Sequence, residues 1–88
     1  MKWDQYVVKC SDNSFYAGVT TDLIRRIKEH NSDNKGAKYT RSRRPVSIIY
    51  SKEFENRSEA QKAEAAFKKL SRKQKEELVS IQLSEYLS

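Results

Sequence analysis

The side chains in this sequence that are best suited to catalysis or ligand binding are two tyrosines, an arginine, the single histidine and one glutamate. The chain shows no motif typical of a Ser-His-Asp set, and with one histidine and one cysteine it has no cysteine and histidine spacing typical of a metal site. It also lacks a glycine-rich phosphate loop. What remains is a phenol that can move a proton, a guanidinium that can hold an anion and a carboxylate that can hold a hard cation. The candidate residues are Tyr6, Tyr16, Arg26, His30 and Glu64.

Tyr6 and Tyr16 lie on two adjacent predicted strands. Residues 6–10 and 15–19 both alternate with a period of two, and the polar residues between them predict a hairpin turn. A two-residue loop at Asp12-Asn13 would place the two tyrosines on opposite faces of the sheet. A three-residue loop or a bulge would place them on the same face, which a shared cleft requires.

Arg26 and His30 lie four residues apart on the helix predicted for residues 23–30, on one flank of its apolar arc. At this position the two side chains can line a groove between the helix and the rest of the protein. The structural alternative is that the arginine extends its charged end to the solvent and that the histidine is a packing or surface residue, which is the commoner case for a lone histidine. The predicted apolar arc consists of Leu23, Ile24 and Ile27, and the solvent-facing side of Arg25 and Glu29.

Glu64 lies at the margin of the apolar face of a second helix, predicted for residues 57–70. A carboxylate beside an apolar stripe needs a partner. The structural partner is Lys68, four residues further on, and the functional partner is a metal ion in a cleft.

The tyrosine segments Asp4-Gln5-Tyr6 and Tyr16-Ala17-Gly18 resemble the paired triplets of the GIY-YIG nuclease superfamily. Asp4-Gln5 stand where the family has Gly-Ile, and Ala17 stands where it has Ile. The resemblance covers residues 3 to 80 and is greatest to the small stand-alone UPF0213 branch. It extends through Thr20-Thr21-Asp22-Leu23-x-x-Arg26, His30-Asn31, Gly36-Ala37-Lys38-Tyr39-Thr40-Arg41, Arg44-Pro45-Val46 and Arg57-Ser58-Glu59-Ala60 with Glu64.

The resemblance implies an α/β (α+β) fold in the order β-β-α-β-α-α, with a three-stranded antiparallel sheet flanked by helices. An 88-residue chain has room for one compact domain, so residues 1–88 are expected to form a single GIY-YIG nuclease-like domain. The third strand, residues 46–50, is expected to place Val46, Ile48 and Tyr50 on one face.

The activity that the resemblance implies is Mg²⁺-dependent (or Mn²⁺-dependent) endonuclease hydrolysis of DNA phosphodiester bonds, for instance in DNA repair or processing. A phenol with an ordinary pKa of ~10 is almost entirely protonated at neutral pH, so a tyrosine base needs positive charge nearby. The alternative is a nucleic-acid-binding module that keeps this scaffold without catalysis. The implied catalytic residues are Tyr6, Tyr16, Arg26, His30 and Glu64, with Glu64 as the metal ligand and Gly18 as a structural residue.

The net charge of +6 is concentrated in one segment. Residues 31–52 carry six basic side chains and one acidic side chain, which favours a polyanion such as nucleic acid. A second basic cluster, residues 68–75, is more typical of a solvated helix surface. The candidate nucleic-acid-binding residues are Lys35, Lys38, Tyr39, Arg41, Arg43 and Arg44.

The remaining composition bounds the setting of the protein. One cysteine excludes an internal disulfide, and the apolar runs are too short to span a membrane. No apolar segment typical of a secretory signal follows Met1. The expected compartment is the cytoplasm, with a monomer as the default state.

Overall fold

The computed structural model of the protein describes residues 1–32 and 36–87. The sheet-and-helix class and the antiparallel three-stranded sheet agree with the fold expected from the sequence. One short helix, Lys38–Arg41, was not expected. It lies in the basic segment of residues 31–52, where the expected order β-β-α-β-α-α has no helix before the third strand. Within the described residues, no helix is both long enough and apolar enough to cross a membrane. The elements are β1 (Trp3–Lys9), β2 (Phe15–Thr20), α1 (Leu23–His30), α2 (Lys38–Arg41), β3 (Ser47–Phe54), α3 (Arg57–Lys68) and α4 (Arg72–Leu87).

The sheet has the strand order β2-β1-β3, so β1 is central and pairs antiparallel with both neighbours. The β1–β2 hairpin turns through a three-residue loop, because the Cys10 N–H donates to the Ser14 carbonyl at 2.9 Å and the Asn13 N–H donates to the Cys10 carbonyl at 2.9 Å. Asn13 has a φ of 68°, the left-handed conformation that asparagine tolerates well. The register pairs Tyr6 with Gly18 and Val8 with Tyr16. Both tyrosines therefore lie on the same face, as a shared cleft requires.

Each face of the sheet carries its own core. On one face, Leu23 and Ile27 of α1 pack against Tyr6 and Val8. On the other face, Phe67 of α3 packs against Val7, together with residues of α4. Ile24, expected in the apolar arc of α1, is instead 71% exposed, because α1 contacts the sheet through a narrower stripe.

Strand β3 contains a bulge that the alternating sequence pattern did not predict. β1 pairs Val7 with Tyr50 but Val8 with Ile48, so β3 carries one extra residue at Ile49. A bulge reverses which face the following side chains occupy. Val46 and Ile48 therefore pack on the α1 face, while Tyr50 packs on the α3 face. The expectation that these three residues share one face was wrong for this reason.

Side-chain caps fix where the helices begin. The Asp22 carboxylate accepts from the Arg25 N–H at 3.0 Å at the start of α1, and the Asn56 side chain accepts from the Glu59 N–H at 2.9 Å at the start of α3. A reciprocal capping box joins Ser71 and Gln74 before α4. These caps satisfy backbone N–H groups at the starts of the helices, two of which, α1 and α3, carry candidate site residues.

Candidate active site

The phenol of Tyr6 lies across Gly18 of the neighbouring strand. A Cβ atom placed on Gly18 would lie 2.5 Å from the Tyr6 hydroxyl oxygen, which is far inside contact distance. Gly18 does not have a positive φ, so the glycine is required here for space and not for backbone conformation. The expected structural role of Gly18 is thus to let the Tyr6 ring extend over the edge strand β2.

The Tyr6 hydroxyl is held by two groups on α1. It lies 2.7 Å from Nε2 of His30, and Nε of Arg26 donates to it at 3.4 Å. His30 is fully buried, and its Nδ1 lies 3.1 Å from the hydroxyl of Thr40, which itself donates to the Ala37 carbonyl at 2.9 Å. A continuous chain of polar groups therefore runs from the phenol to α2.

The imidazole completes this chain as a neutral ring. In either tautomer one ring nitrogen carries the proton and the other accepts: Nε2 lies against the Tyr6 hydroxyl, and Nδ1 lies 3.1 Å from the Thr40 hydroxyl and 3.4 Å from the Ala37 N–H. Burial, together with the positive charge of Arg26, lowers the pKa of His30 to about 4. His30 is therefore uncharged at neutral pH, which suits it to orienting the Tyr6 phenol.

The buried imidazole should make stability depend on pH. The pKa of His30 is about 4 in the folded chain against an ordinary 6.5. As the pH falls, His30 of the unfolded chain therefore binds its proton at a higher pH than His30 of the folded chain. The stabilisation is complete above pH 6.5 and is lost as the pH falls toward 4, amounting to roughly 1 to 3 kcal/mol in the free energy of unfolding. Urea unfolding at pH 7.0 and at pH 4.5 should show this loss.

NMR titration of the folded protein provides the direct measurement, because His30 is the only histidine. The ring signals should stay in the neutral position down to about pH 5. A His30→Gln variant should lose this part of the pH dependence of unfolding, whereas Lys28→Gln, an exposed control on α1, should keep it. A native His30 pKa at or above 6.5 would contradict the buried neutral assignment.

Tyr16 is the more accessible of the two phenols. Its ring meets the edge of the His30 ring at a centroid distance of 5.4 Å and stacks on Tyr39 at 5.7 Å with an interplanar angle of 23°. Burial raises the pKa of the Tyr6 phenol, the hydrogen bond from Arg26 opposes that rise, and the nearby Tyr16 and Glu64 add to it. Tyr6 is thus a fixed, protonated phenol, while Tyr16 borders the solvent.

Arg26 hydrogen-bonds to the Tyr6 phenol, and Glu64 raises the pKa of that phenol through its charge. Nη1 of Arg26 also donates to the Glu29 carboxylate at 3.0 Å, and the Glu29 side chain is only 22% exposed. The expectation that Glu29 faces the solvent was therefore wrong, because Arg26 draws it inward. Glu64 is 21% exposed, and its carboxylate lies 3.6 Å from Nζ of Lys68, the structural partner foreseen from the sequence.

The carboxylate of Glu64 fits one kind of metal ion. No cluster of three or more histidine, cysteine, aspartate or glutamate residues exists in the described part of the chain. A fully protein-ligated ion is therefore not supported by these residues. Mg²⁺ prefers oxygen ligands and retains several waters, so the single half-buried carboxylate of Glu64 is chemically suited to hold it.

The candidate nucleic-acid-binding residues fall into two groups. Arg43 is bound to the chain, with Nε 3.1 Å from the Asp12 carboxylate and Nη1 donating to the Tyr39 carbonyl at 2.8 Å. Arg44 donates through Nε to the His30 carbonyl at 2.7 Å and through Nη2 to the Ser32 carbonyl. These two arginines therefore connect the segment between α2 and β3 to the hairpin turn and to the end of α1.

The second group is available to a partner. Lys38 and Arg41 on α2 are exposed, and neither has a hydrogen-bond or ion-pair partner within the described residues. Tyr39 is 38% exposed, but the Arg43 guanidinium lies 4.0 Å from its ring centroid, so one ring face is covered in addition to its stack on Tyr16. Lys35 lies outside the described residues.

Thr40 and Glu29 belong to the site but were not singled out from the sequence. Thr40 is fully buried and completes the hydrogen bonding of His30, and Glu29 orients Arg26. The available signal was the i,i+3 spacing of Arg26 and Glu29, which permits such a pair on a helix. Nothing in the local sequence distinguishes Thr40 from a loop residue.

Comparisons with known proteins show the family of the chain and its fold. Residues 2–77 match the GIY-YIG catalytic domain. The chain is 61% identical over 71 residues to the UPF0213 protein YazA of Bacillus subtilis, covering 81% of this chain and 71% of that protein. It is 64% identical over 74 residues to a UPF0213 protein of Enterococcus faecalis, covering 82% and 83%.

Two solution NMR structures have the same fold. The UPF0213 protein BH0048 of Bacillus halodurans superimposes with a TM-score of 0.60 at 47% identity, over 92% of this chain and 85% of that chain. The protein EF2693 of E. faecalis superimposes with a TM-score of 0.62 at 51% identity, over 94% and 88%.

Proposed function

Because the chain belongs to the GIY-YIG nuclease family, we propose that it is an endonuclease that hydrolyses phosphodiester bonds in DNA with Mg²⁺ or Mn²⁺. The observation that supports this most directly is the convergence on the Tyr6 phenol. Arg26 hydrogen-bonds to it, and the charges of Tyr16 and Glu64 act on its pKa. The guanidinium is thus in contact with one phenol, and the second phenol and the carboxylate lie near enough to influence the ionisation of that phenol.

Arg26 is the group suited to the scissile phosphate. A planar guanidinium can present two parallel N–H groups to phosphate oxygens, and its charge offsets the negative charge that develops during the reaction. The contacts to Tyr6 and Glu29 fix its position before the substrate arrives. Preorganised positive charge of this kind is where much of the rate enhancement in phosphoryl transfer arises.

The two phenols have different roles. Tyr16, at the border of the site, first gives up its own proton to solvent; the phenolate then takes a proton from the attacking water as the water oxygen bonds to phosphorus, the bond to the leaving oxygen breaks, and that oxygen takes a proton from solvent. Tyr6, hydrogen-bonded to His30, keeps Arg26 in position. Glu64 would hold the divalent ion, which would supply charge stabilisation for the leaving oxygen.

The test of this proposal is an incubation of the purified protein with supercoiled plasmid and with branched DNA. We expect nicking with Mg²⁺ or Mn²⁺ and none with EDTA. Retarded migration of the DNA without any cleavage in either metal would instead identify a binding module on the same scaffold, and would overturn the catalytic proposal.

We also propose that Lys38 and Arg41, here called the loop patch, contact DNA phosphates. Each cation that neutralises one phosphate contributes about −0.9 to the slope of log affinity against log salt on duplex DNA. Lys38→Gln with Arg41→Gln should therefore make the slope less negative by about 2 units. The measurement is fluorescence anisotropy with a labelled 20-base-pair duplex between 50 and 200 mM NaCl.

The matched control is Lys52→Gln with Lys62→Gln, which removes the same charge. Both lysines are exposed, Lys52 on the far edge strand β3 and Lys62 on α3. The slope of log affinity against log salt for this control variant should equal that of the unaltered protein. Equal slopes in all three proteins would remove the loop patch from the DNA-binding surface.

A further inference from the structure

A second concentration of positive charge lies where α3 meets α4. Residues 68–75 contain five basic side chains and no acidic one. Arg72 is held in place, because its guanidinium lies 3.7 Å from the ring centroid of Phe15. Lys69 and Lys73 are exposed and have no ion-pair partner in the part of the chain that the structure describes. We refer to Lys69, Arg72 and Lys73 as the junction patch.

Two acidic residues beside this patch form ion pairs with basic side chains. Glu64 contacts Lys68 at 3.6 Å, and Glu76 contacts Arg72 at 3.4 Å. Both pairs are largely exposed on the cationic side and therefore weak. Residues 68–77 carry five basic and two acidic side chains, so the potential of the patch stays positive.

The junction patch lies on the other side of β2 from the loop patch. Phe15 and Tyr16 are consecutive residues of β2, so their side chains point to opposite faces of the sheet. Arg72 stacks on Phe15, and Tyr39, between the two residues of the loop patch, stacks on Tyr16. The two patches are thereby fixed at the same end of one strand, one above the sheet and one below it.

This strand is also the open edge beside the candidate active site. β2 pairs only with β1 among the described strands, and the Tyr6 phenol crosses it at Gly18. Lys9 lies directly opposite Phe15 in the register and is exposed, which adds a further cation on the junction side. Positive charge, which attracts phosphate, therefore lies on both faces of the sheet beside the edge strand β2, next to the candidate active site.

We propose that the junction patch is a second phosphate-binding surface and that a single DNA molecule is held across the β2 edge by both patches at once. The inference rests on the proposed function, since it names how the substrate of that site is held. Phosphates follow one another every ~3.4 Å along a strand, so one backbone offers contacts to both patches. Two attachments on either side of the cleft fix the phosphodiester bond with respect to Arg26, which one attachment alone does not do.

The test uses the full chain and the labelled 20-base-pair duplex over 50 to 200 mM NaCl. Lys69→Gln with Lys73→Gln should make the salt slope less negative by about 2 units, and combination with the loop-patch changes should bring the total to about 4 units. The Lys52→Gln, Lys62→Gln protein is the control of equal charge. All substituted residues are exposed, and circular dichroism checks that each variant is folded.

The outcomes separate the two proposals. A slope unchanged in the junction variant but reduced in the loop variant overturns the second surface and leaves the proposed function standing. Absence of DNA binding by the unaltered protein overturns the proposed function itself. A saturation ratio of one duplex per protein supports the shared duplex, whereas two duplexes per protein would show that the patches act separately and would overturn it.

Discussion

Replacement of Glu64 by glutamine is expected to lower metal-dependent cleavage of DNA by on the order of 100-fold or more, while DNA binding is retained or slightly tightened. Glutamine keeps the size of the side chain but removes the charge that holds a divalent cation. Binding should not weaken, because a negative charge leaves a place that receives phosphate. The measurements are initial nicking rates at matched Mg²⁺ and the affinity for the same DNA in EDTA.

Two variants on the same helix serve as controls. Glu59→Gln makes the same chemical change at an exposed glutamate that pairs with Lys62 at 3.4 Å. Lys68→Gln breaks the ion pair that Glu64 forms within the described residues without altering the carboxylate. If Glu64 served only that pair, worth a few tenths of a kcal/mol, the Lys68 and Glu64 variants would behave alike. Full nuclease activity in Glu64→Gln would refute the metal-ligand role.

Replacement of Arg26 by lysine is expected to lower turnover by roughly 100- to 1,000-fold with little change in the affinity for DNA. Lysine keeps the positive charge, so the attraction to the polyanion remains. It has a single nitrogen, however, and cannot contact Tyr6, Glu29 and a phosphate in the arrangement that the guanidinium allows. Single-turnover cleavage at saturating protein separates this loss of rate from any change in binding.

Arg25→Lys is the matched control for this experiment. Arg25 is the neighbouring residue on α1, its side chain is 61% exposed, and it contacts the same Glu29 at 3.9 Å. Its replacement should leave both rate and affinity near those of the unaltered protein. A large loss of affinity without loss of rate in Arg26→Lys would assign Arg26 to binding alone.

Predictions drawn from residue spacing were most reliable where the information is local. The polar stretch between the first two strands limited the hairpin to a few turn geometries, and Asn13 is a residue that accepts the left-handed conformation of a three-residue loop. Asn56 and the Ser71-x-x-Gln74 capping box, which cap α3 and α4, are likewise residue types and spacings that favour a helix start. Such features depend on neighbouring residues and on the backbone conformations that those residues favour.

The sequence patterns did not predict the bulge in β3 or the partners of the basic residues. Ile48, Ile49 and Tyr50 are all suitable for a strand interior, so their order does not reveal that one residue is extra. Arg43 and Arg44 were assigned to nucleic acid on charge alone. Their acceptors lie on the hairpin turn and at the end of α1, far away in the sequence, and only folding brings these groups together.

The sequence by itself determined the order of the strands and of the three longer helices, the family and the identity of the candidate site residues, because these depend on residue types, local periodicity and motif spacing. The tertiary structure decided what each of those residues can do. Burial on the α1 face makes His30 a neutral support for Tyr6, and Gly18 gives that phenol its path across β2. The physical reason is that burial and charge environment are set by what packs against a side chain, and those neighbours come from distant parts of the chain.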